Sequence, residues 1–347
     1  MLRTGQDRSL VGRLHRFIPE PGSSPLVAYR ARMAPMTIAT VTFEADMRLT
    51  VLQALSLDRL FPTEEIAEYI LVLNDPDPVE LESVLRHHLR GRISDALLNK
   101  TLFLPASEIA TLAPMRAWRA QQVLKLELAR RVVTDHYLLL DAKNHFVRPT
   151  TTTDFWHGGR IRTYVKDRPQ WRQWVLDSFE ALGVTPTEDQ VARPWPTTTP
   201  YLMITAEVRA LLKRIESLHG EPFGAVFPDL GSATEFFLYY AHMIDVYADD
   251  PPYTATPPIV AALFRKWPQD PVAVMKVLDD TTEENIPVFG LHRLRVATLT
   301  PSQREAIESL WRAHLLSADD DPAWFLGDEP LPMPAGPKPA IKRLFGR

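Results

Sequence analysis

The chain has 347 residues, of which 45% are hydrophobic and 24% charged, and its formal net charge is -4; these values are typical of a globular protein and not of a general nucleic-acid binder. It contains no cysteine, which excludes disulfides, thiolate zinc sites and cysteine nucleophiles. No apolar run approaches the roughly 18–20 residues that a membrane helix needs, and no signal-peptide pattern precedes the first predicted strand, so we expect a cytoplasmic protein.

The two ends of the chain differ in composition from the middle. Residues 1–35 are rich in arginine and contain the sequence PEPGSSP, which predicts a basic extension, either a mobile arm or an amphipathic surface segment. Residues 328–347 predict a proline-rich tail with a basic end. The basic ends are compatible with peripheral contact between the protein and a membrane surface.

Apolar runs and helical patterns alternate through the first half of the chain. Strands are predicted by the runs MTIATVTF (36–43), EYILVLND (68–75), KTLFLP (100–105) and HYLLLD (136–141). Helices are predicted between them over 47–61, 79–90 and 115–133. Because the strands are continuous apolar runs, they are typical of a mostly parallel sheet covered on both faces, and the alternation predicts a doubly wound α/β core.

The second half is more mixed. Helical patterns cover 205–218 and 228–244, and an apolar stretch at 285–299 precedes TPSQREAIESLW, a sequence typical of a capped helix. No Walker loop, GxGxxG motif or nucleophile elbow is present. Dehydrogenases, P-loop enzymes and Ser/His/Asp hydrolases are therefore disfavoured.

Polar side chains follow the ends of three predicted strands. They are Thr42 and Glu44, then Asn74 and Asp75, and finally Asp141, Lys143 and Asn144. Mostly parallel sheets bind ligands beyond the carboxyl ends of their strands, so these residues are the first candidates for a site. Asp141 itself is either the plain end of a strand or a carboxylate that binds a cation or a ribose.

The helix before Asp141 carries polar residues in an element that must pack on the sheet. Gln121 and Lys125 lie four residues apart and share one face, and Gln122 lies beside them. Burying these groups without partners would be costly. They are therefore either a solvated polar face or part of a site with Asp141.

The segment AWRAQQVLKLELARRVVTDHYLLLDAKNHFVRP resembles the central segment of GT-A-type glycosyltransferases, and more closely a bacterial group of GT-A-like proteins with a degenerate Asp-x-Asp motif. The strong match runs from Trp118 to Pro149. Weaker agreement covers Thr37 to Asp75 and returns at PYLMITAEVRALL, ATEFFLYY and VFGLH. The resemblance implies a GT-A-like, Rossmann-like domain over 36–300, with a nucleotide-binding half (36–149) and an acceptor half (150–300), followed by a helix over 301–327.

The resemblance also implies a nucleotide-sugar donor lying across the first strand ends. Asp141 matches the first Asp of the Asp-x-Asp motif, whereas Lys143 replaces the second Asp, the more usual metal ligand. This replacement puts in doubt a Mn²⁺ or Mg²⁺ ion held by Asp141 and His292. The resemblance places His292, in VFGLH, on metal or diphosphate, and the alternative is a strand-end histidine that makes local hydrogen bonds. The implied donor-binding residues are Thr42, Glu44, Asn74, Asp75, Gln121, Gln122, Lys125, Asp141, Lys143 and Asn144.

Residues for catalysis and acceptor binding are expected in the second half. Glu235 is the candidate general base, with Asp229 in reserve, although Ser232 and Glu235 also fit a helix capping box. His157 is expected to contact acceptor or diphosphate, and its neighbour Trp156 either stacks on a sugar ring or packs in the core.

These expectations combine into one functional hypothesis. The sequence predicts a glycosyltransferase that moves a sugar from a nucleotide-sugar donor to a hydroxyl acceptor, a saccharide or a surface polymer. Two alternatives remain open: a non-catalytic nucleotide-sugar-binding protein, and an interaction scaffold on the same fold.

Overall fold

The computed structural model describes residues 34–165, 169–195, 198–248 and 250–327. The predicted proline-rich tail and all but the last two residues of the predicted basic extension lie outside the described residues. Within the described part of the chain, no helix is long and apolar enough to cross a membrane.

Strands occur in both halves of the chain. They are β1 (Met36–Thr42), β2 (Ile66–Leu73), β3 (Thr101–Pro105), β4 (His136–Asp141), β5 (Asn144–Phe146), β6 (Trp156–His157), β7 (Arg160–Thr163), β8 (Tyr201–Ile204), β9 (Tyr253–Ala255), β10 (Val260–Leu263) and β11 (Val288–Leu291).

Helices separate most of these strands. They are α1 (Met47–Leu60), α2 (Pro78–Leu89), α3 (Asp95–Lys100), α4 (Ala106–Ile109), α5 (Ala117–Glu127), α6 (Arg172–Ala181), α7 (Glu188–Ala192), α8 (Thr205–His219), α9 (Phe223–Val226), α10 (Glu235–Tyr247), α11 (Pro271–Glu283), α12 (Arg293–Val296), α13 (Pro301–His314) and α14 (Pro322–Phe325).

The central sheet has the strand order β3-β2-β1-β4-β8. Its first four strands are parallel, and β8 pairs with β4 in the antiparallel sense. The carboxyl ends of β1, β2, β3 and β4 therefore meet at one edge of the sheet. The predicted α/β class with a mostly parallel sheet flanked by helices is confirmed.

Side chains alternate between the two faces of this sheet, and each face packs against a different helix. Thr40 donates to Gln53 Oε1 of α1 at 2.6 Å, whereas the Tyr137 hydroxyl donates to the Lys125 carbonyl of α5 at 3.1 Å. Because β1 and β4 pair in register, with Val41 opposite Asp141, the side chain of Asp141 lies on the α5 face together with that of Tyr137.

A smaller sheet, in the order β10-β11-β5, extends from the carboxyl edge of the large one. β10 and β11 are parallel, and β11 pairs with β5 in the antiparallel sense, with Gly290 opposite Asn144. Since β5 follows β4 after a single turn, this pairing brings the end of β11 to the end of β4. A third sheet joins β6, β7 and β9.

The predicted capped helix near the end of the described chain is confirmed. α13 begins with a capping box formed by Thr300 and Gln303. Its Trp311 is fully buried and donates to His145 Nε2 of β5 at 2.8 Å. This helix therefore stabilises the small sheet from the side away from solvent.

Candidate functional site

Asp141 and Lys125 form an ion pair at the carboxyl edge of the large sheet. Lys125 Nζ lies 2.8 Å from Asp141 Oδ1, and the lysine side chain is only 8% exposed. The interpretation of Lys125 as part of a solvated polar face is therefore wrong: the helix presents this residue to the sheet. Its carboxylate partner makes the burial possible.

Glu235 approaches the same ammonium group from α10. Its Oε1 lies 3.1 Å from Lys125 Nζ, and the side chain is 7% exposed. The alternative of a capping box is wrong, because α10 begins at Glu235 itself, with Thr234 as the preceding cap residue, and the Ser232 amide donates to Asp177 instead. The Glu235 carboxylate is thereby directed to Lys125.

Lys143 lies in the turn after β4, and its side chain folds back onto Asp141. Its Nζ contacts Asp141 Oδ2, and it lies 5.7 Å from the centre of the Phe264 ring. Both carboxylate oxygens of Asp141 thus contact lysine ammonium groups. Together, Asp141, Glu235, Lys125 and Lys143 form what we call the charge tetrad, with two positive and two negative groups.

The turn between β4 and β5 is fixed by buried amides. The Gln53 amide donates to the carbonyls of Asp141 at 2.9 Å and Asn144 at 2.8 Å. Asn144 Oδ1 accepts from the Asp141 amide at 2.9 Å and from Thr199 at 2.6 Å. Asn144 is completely buried and holds the turn. Its role in donor binding stays a prediction.

Burial and the neighbouring charges act in opposite directions on the tetrad. Burial alone would raise the pKa of Asp141, but Lys125 and Lys143 outweigh it and hold that pKa well below its usual range. Burial alone would lower the pKa of Lys125, but Asp141 and Glu235 outweigh it and raise that pKa. For Glu235 burial prevails and raises the pKa, with Lys125 offsetting part of the effect.

A second charged group lies beside Lys143. Arg293 Nε is 3.2 Å from Asp46 Oδ1, and the His292 amide donates to the Leu263 carbonyl at 3.0 Å. Burial lowers the pKa of His292 to about 4, with further lowering from Lys143, Arg293 and the nearby Arg265. Lys143, Arg293 and Arg265 thus add to burial in disfavouring the protonated form of His292.

Asp46 completes this second group. Burial raises its pKa to about 6; Arg293 offsets part of this rise and Asp141 adds to it. The sequence reasoning missed Asp46, Arg293 and Gln53. Gln53 had a usable signal, because it is a polar residue inside an otherwise apolar helix, but Asp46 and Arg293 are distant in sequence and gave none.

The side chains as placed do not fit a divalent cation. Both Asp141 oxygens are taken by lysines, and His292 Nδ1 accepts from the Leu294 amide at 3.2 Å. Across the part of the chain that the structure describes, no three His, Asp or Glu side chains come together as metal ligands. Metal binding by Asp141 and His292 stays a prediction.

Of the remaining strand-end residues, one is buried against α1 and three lie in the loops at the carboxyl edge of the sheet. The Thr42 hydroxyl is buried on the α1 face and bonded to Thr50 at 2.7 Å, and its contact with a donor stays a prediction. Asp75 Oδ2 accepts from the Glu44 amide at 2.9 Å, and the Asn74 amide donates to the Thr42 carbonyl at 2.8 Å. These bonds join the loops after β1 and β2, next to the tetrad's edge of the sheet.

Gln122 is buried next to Lys125 on α5. It is 1% exposed, and neither atom of its side-chain amide has a hydrogen-bond partner among the described residues. Buried polar groups are nearly always hydrogen-bonded, so this amide needs a partner such as a water or a ligand. Gln121, half-buried, lies closer to the surface.

Three predicted site residues lie away from the tetrad. Trp156 packs edge-on against His136, with ring centroids 5.1 Å apart, and lines a cavity with Met36 and Leu202, at the amino end of β1 and β4. His157 is exposed on the same hairpin, so the structure does not bring either residue to Asp141. Asp229 is exposed at the end of a single 3-10 turn.

Residues 34–250 match the model of a protein family of unknown function, DUF6492. The chain belongs to the DUF6492 family. No curated protein matches this DUF6492 chain.

Solved structures similar to this DUF6492 chain include glycosyltransferases. An active-site mutant of LgtC shares 11% identity at a TM-score of 0.43, covering 82% of this chain and 98% of LgtC. The galactosyltransferase LgtC in complex with donor and acceptor sugar analogues shares 11% identity at a TM-score of 0.42, again covering 82% of this chain and 98% of LgtC. The bifunctional glycosyltransferase WbbM shares 11% identity at a TM-score of 0.38, covering 79% of this chain and 51% of WbbM. These values are too low to bear on the site or the function.

Proposed function

We propose that this protein binds a nucleoside-diphosphate sugar at the carboxyl edge of its large sheet and transfers the sugar to a hydroxyl acceptor, a saccharide or surface polymer. One observation carries the proposal: Lys143, which contacts Asp141, and Arg293, which pairs with Asp46, bring two positive charges to this edge of the sheet. A diphosphate requires such positive charge, and ligands of mostly parallel α/β sheets bind at this edge.

The resemblance of the segment 117–149 to GT-A glycosyltransferases supports the choice of a sugar nucleotide over other diphosphates. In that resemblance Asp141 stands for the first Asp of the motif. Lys143 then supplies a fixed positive charge in place of the second Asp and its metal ion. The donor site comprises Lys143, Asp141, Asp75, Asn74 and Glu44, with Gln121, Gln122 and Lys125 behind them.

In the proposed reaction the acceptor oxygen attacks the anomeric carbon, and the bond from that carbon to the diphosphate oxygen breaks. Lys143 and Arg293 neutralise the charge that develops on the departing diphosphate. The acceptor proton passes to Glu235, whose pKa is raised by burial, so that this carboxylate is a stronger base than an exposed one.

A specific observation favours the second candidate, a non-catalytic nucleotide-sugar binder: both oxygens of Asp141 are neutralised by lysines. Thermal unfolding with uridine and guanosine diphosphates and their sugar conjugates tests binding, since a ligand selective for the folded state stabilises it. Released nucleoside diphosphate tests turnover. Nucleotide binding without release of nucleoside diphosphate supports the non-catalytic binder. If no nucleotide shifts the unfolding temperature at millimolar concentration, both the enzyme and the binder are contradicted, and the interaction scaffold is the remaining hypothesis.

Metal dependence is tested with the same two measurements. We expect donor binding and turnover to persist in the presence of a chelator and to fall in Lys143→Ala, because the lysine supplies the charge. Lys213→Ala, at an exposed position of α8, is the matched control. Activity that vanishes with chelator and survives Lys143→Ala contradicts the lysine-substitution proposal.

A further inference from the structure

A cavity of about 170 Å³ lies between the edge strand β10 and helix α11. Its wall includes Phe264 and Trp267 from the loop after β10, Asp280 of α11 and, just beyond that helix, Glu284. None of these residues belongs to the donor site described above. The cavity is large enough for on the order of a dozen water-sized groups, which matches the non-hydrogen atoms of one hexose ring.

Phe264 connects this cavity to the charge tetrad. Its ring lines the cavity and also lies 5.7 Å from Lys143 Nζ. Leu263, the preceding residue, accepts a hydrogen bond from the His292 amide at 3.0 Å. One end of the cavity is therefore next to the residues that we assign to the diphosphate of the donor.

The lining combines an aromatic platform with hydrogen-bond acceptors. Trp267 is 69% exposed, and its carbonyl accepts from the Phe264 amide at 2.8 Å, which closes the loop that carries both rings. Indole rings bind flat, partly apolar surfaces such as one face of a sugar ring. Asp280, held by Lys276 at 2.6 Å, and Glu284 offer carboxylate oxygens to hydroxyl groups.

The charge of the lining favours a neutral occupant over an anion. Two carboxylates and no Lys, Arg or His occur among the described residues that line the cavity, and one of them, Asp280, is paired with Lys276. Glu284 would repel a phosphate or an acidic sugar, whereas the hydroxyls of a neutral sugar would donate to the carboxylates. β10 is also an edge strand of its sheet, so its outer backbone groups have no partner strand among the described residues.

We propose that this cavity binds a neutral hexose ring of the acceptor, with Trp267 as the stacking platform and Asp280 and Glu284 as hydroxyl acceptors. The assignment to the acceptor rests on the proposed function, whereas the binding of a neutral sugar does not. In this arrangement Phe264 lies between the acceptor ring and Lys143.

The test uses methyl glycosides of glucose, galactose, mannose and N-acetylglucosamine as probes, with saturation-transfer NMR on the full chain. We expect at least one glycoside to bind wild type and to bind about thirtyfold more weakly to Trp267→Ala, the loss typical of a truncated aromatic anchor. Trp118→Ala is the matched control, because Trp118 is also an exposed tryptophan (56%) and is not among the residues lining the cavity. It should bind like wild type.

One further measurement separates this inference from the proposed function. Donor-dependent thermal stabilisation should be unchanged in Trp267→Ala, since the donor contacts lie elsewhere. If wild type binds donor but none of the glycosides, or if Trp267→Ala binds them as wild type does, the cavity assignment is wrong. If wild type binds the glycosides at Trp267 but no nucleotide, the sugar site stands and the donor proposal fails.

Discussion

Replacing Lys125 by methionine tests how far the buried charges at Asp141 depend on one another. The change removes an ammonium group that lies 2.8 Å from Asp141 Oδ1 and 3.1 Å from Glu235 Oε1. Asp141 keeps Lys143, whereas Glu235 loses its cation while only 7% of its side chain is exposed. Breaking a buried pair costs about 3–5 kcal/mol, and we expect the free energy of unfolding to fall by about that amount.

The loss should depend on pH in a defined direction. Burial already raises the pKa of Glu235, and removing Lys125 takes away the charge that offsets part of this rise. A carboxyl group with a raised folded pKa destabilises the protein as pH rises from its unfolded pKa, about 4.3, through the folded value. The deficit of Lys125→Met relative to wild type should therefore be larger at pH 7 than at pH 5.

Urea unfolding followed by tryptophan fluorescence measures these differences in wild type, Lys125→Met, Glu235→Gln and the double variant. The double variant has no stranded carboxylate, so at pH 7 it should be more stable than Lys125→Met by about 1–3 kcal/mol. Lys213→Met, on the exposed side of α8, is the control and should change stability by less than about 0.5 kcal/mol. A loss below about 1 kcal/mol for Lys125→Met, or no recovery in the double variant, would refute the reasoning.

Three further outcomes follow from individual contacts. Glu235→Gln should lower turnover by about 10²–10⁴-fold with little change in the donor-induced thermal shift, as expected for a general base; unchanged turnover would remove Glu235 from that role. Because burial raises the folded pKa of Asp46 to about 6, its contribution to stability should fall as pH rises from about 4 to 6, and a pH series of urea unfolding should show a smaller fall in Asp46→Asn than in wild type. A Cβ at Gly290 would lie 3.1 Å from Ala262 Cβ and 3.2 Å from Asn144 Nδ2, so Gly290→Ala should cost about 1–3 kcal/mol in the same assay, and a neutral effect would mean that the turn at Asp141 tolerates displacement.

Local sequence patterns were sufficient to predict the parallel strands of the large sheet and two members of the charge tetrad, Asp141 and Lys125. The run that ends at Asp141 predicted both the strand and the exposed edge, because a parallel strand buried on both faces has to be apolar until it reaches the edge. Lys125 was identified by its helical spacing from Gln121. Its burial became understandable only with Asp141 and Glu235 in place, and Glu235 comes from a helix 110 residues further along the chain.

The path of the chain after β5 explains why Trp156 and His157 do not lie near Asp141. Both residues follow Asp141 closely in sequence. The Thr150 amide, however, donates to the Leu60 carbonyl at 2.8 Å, at the end of α1, so the chain has by then returned toward the amino edge of the sheet. Strand alternation, in turn, directs the Thr42 hydroxyl to the α1 face, which its position at a strand end did not indicate.

Under the proposed function, the pairing of Asp141 with two lysines would let the site accept an anion without stranding a charge. Lys143 is more exposed than Lys125, 13% against 8% of the side chain, and it is the lysine that lies beside Phe264. A diphosphate bound there would compete with Asp141 for Lys143. Lys125 would still neutralise Asp141 after Lys143 had turned to the ligand, so the cost of leaving a bare buried carboxylate would not arise. We therefore expect Lys125 to have a structural role and Lys143 a role directed to the ligand, and substitution of each should affect a different measurement: stability for Lys125, donor affinity for Lys143.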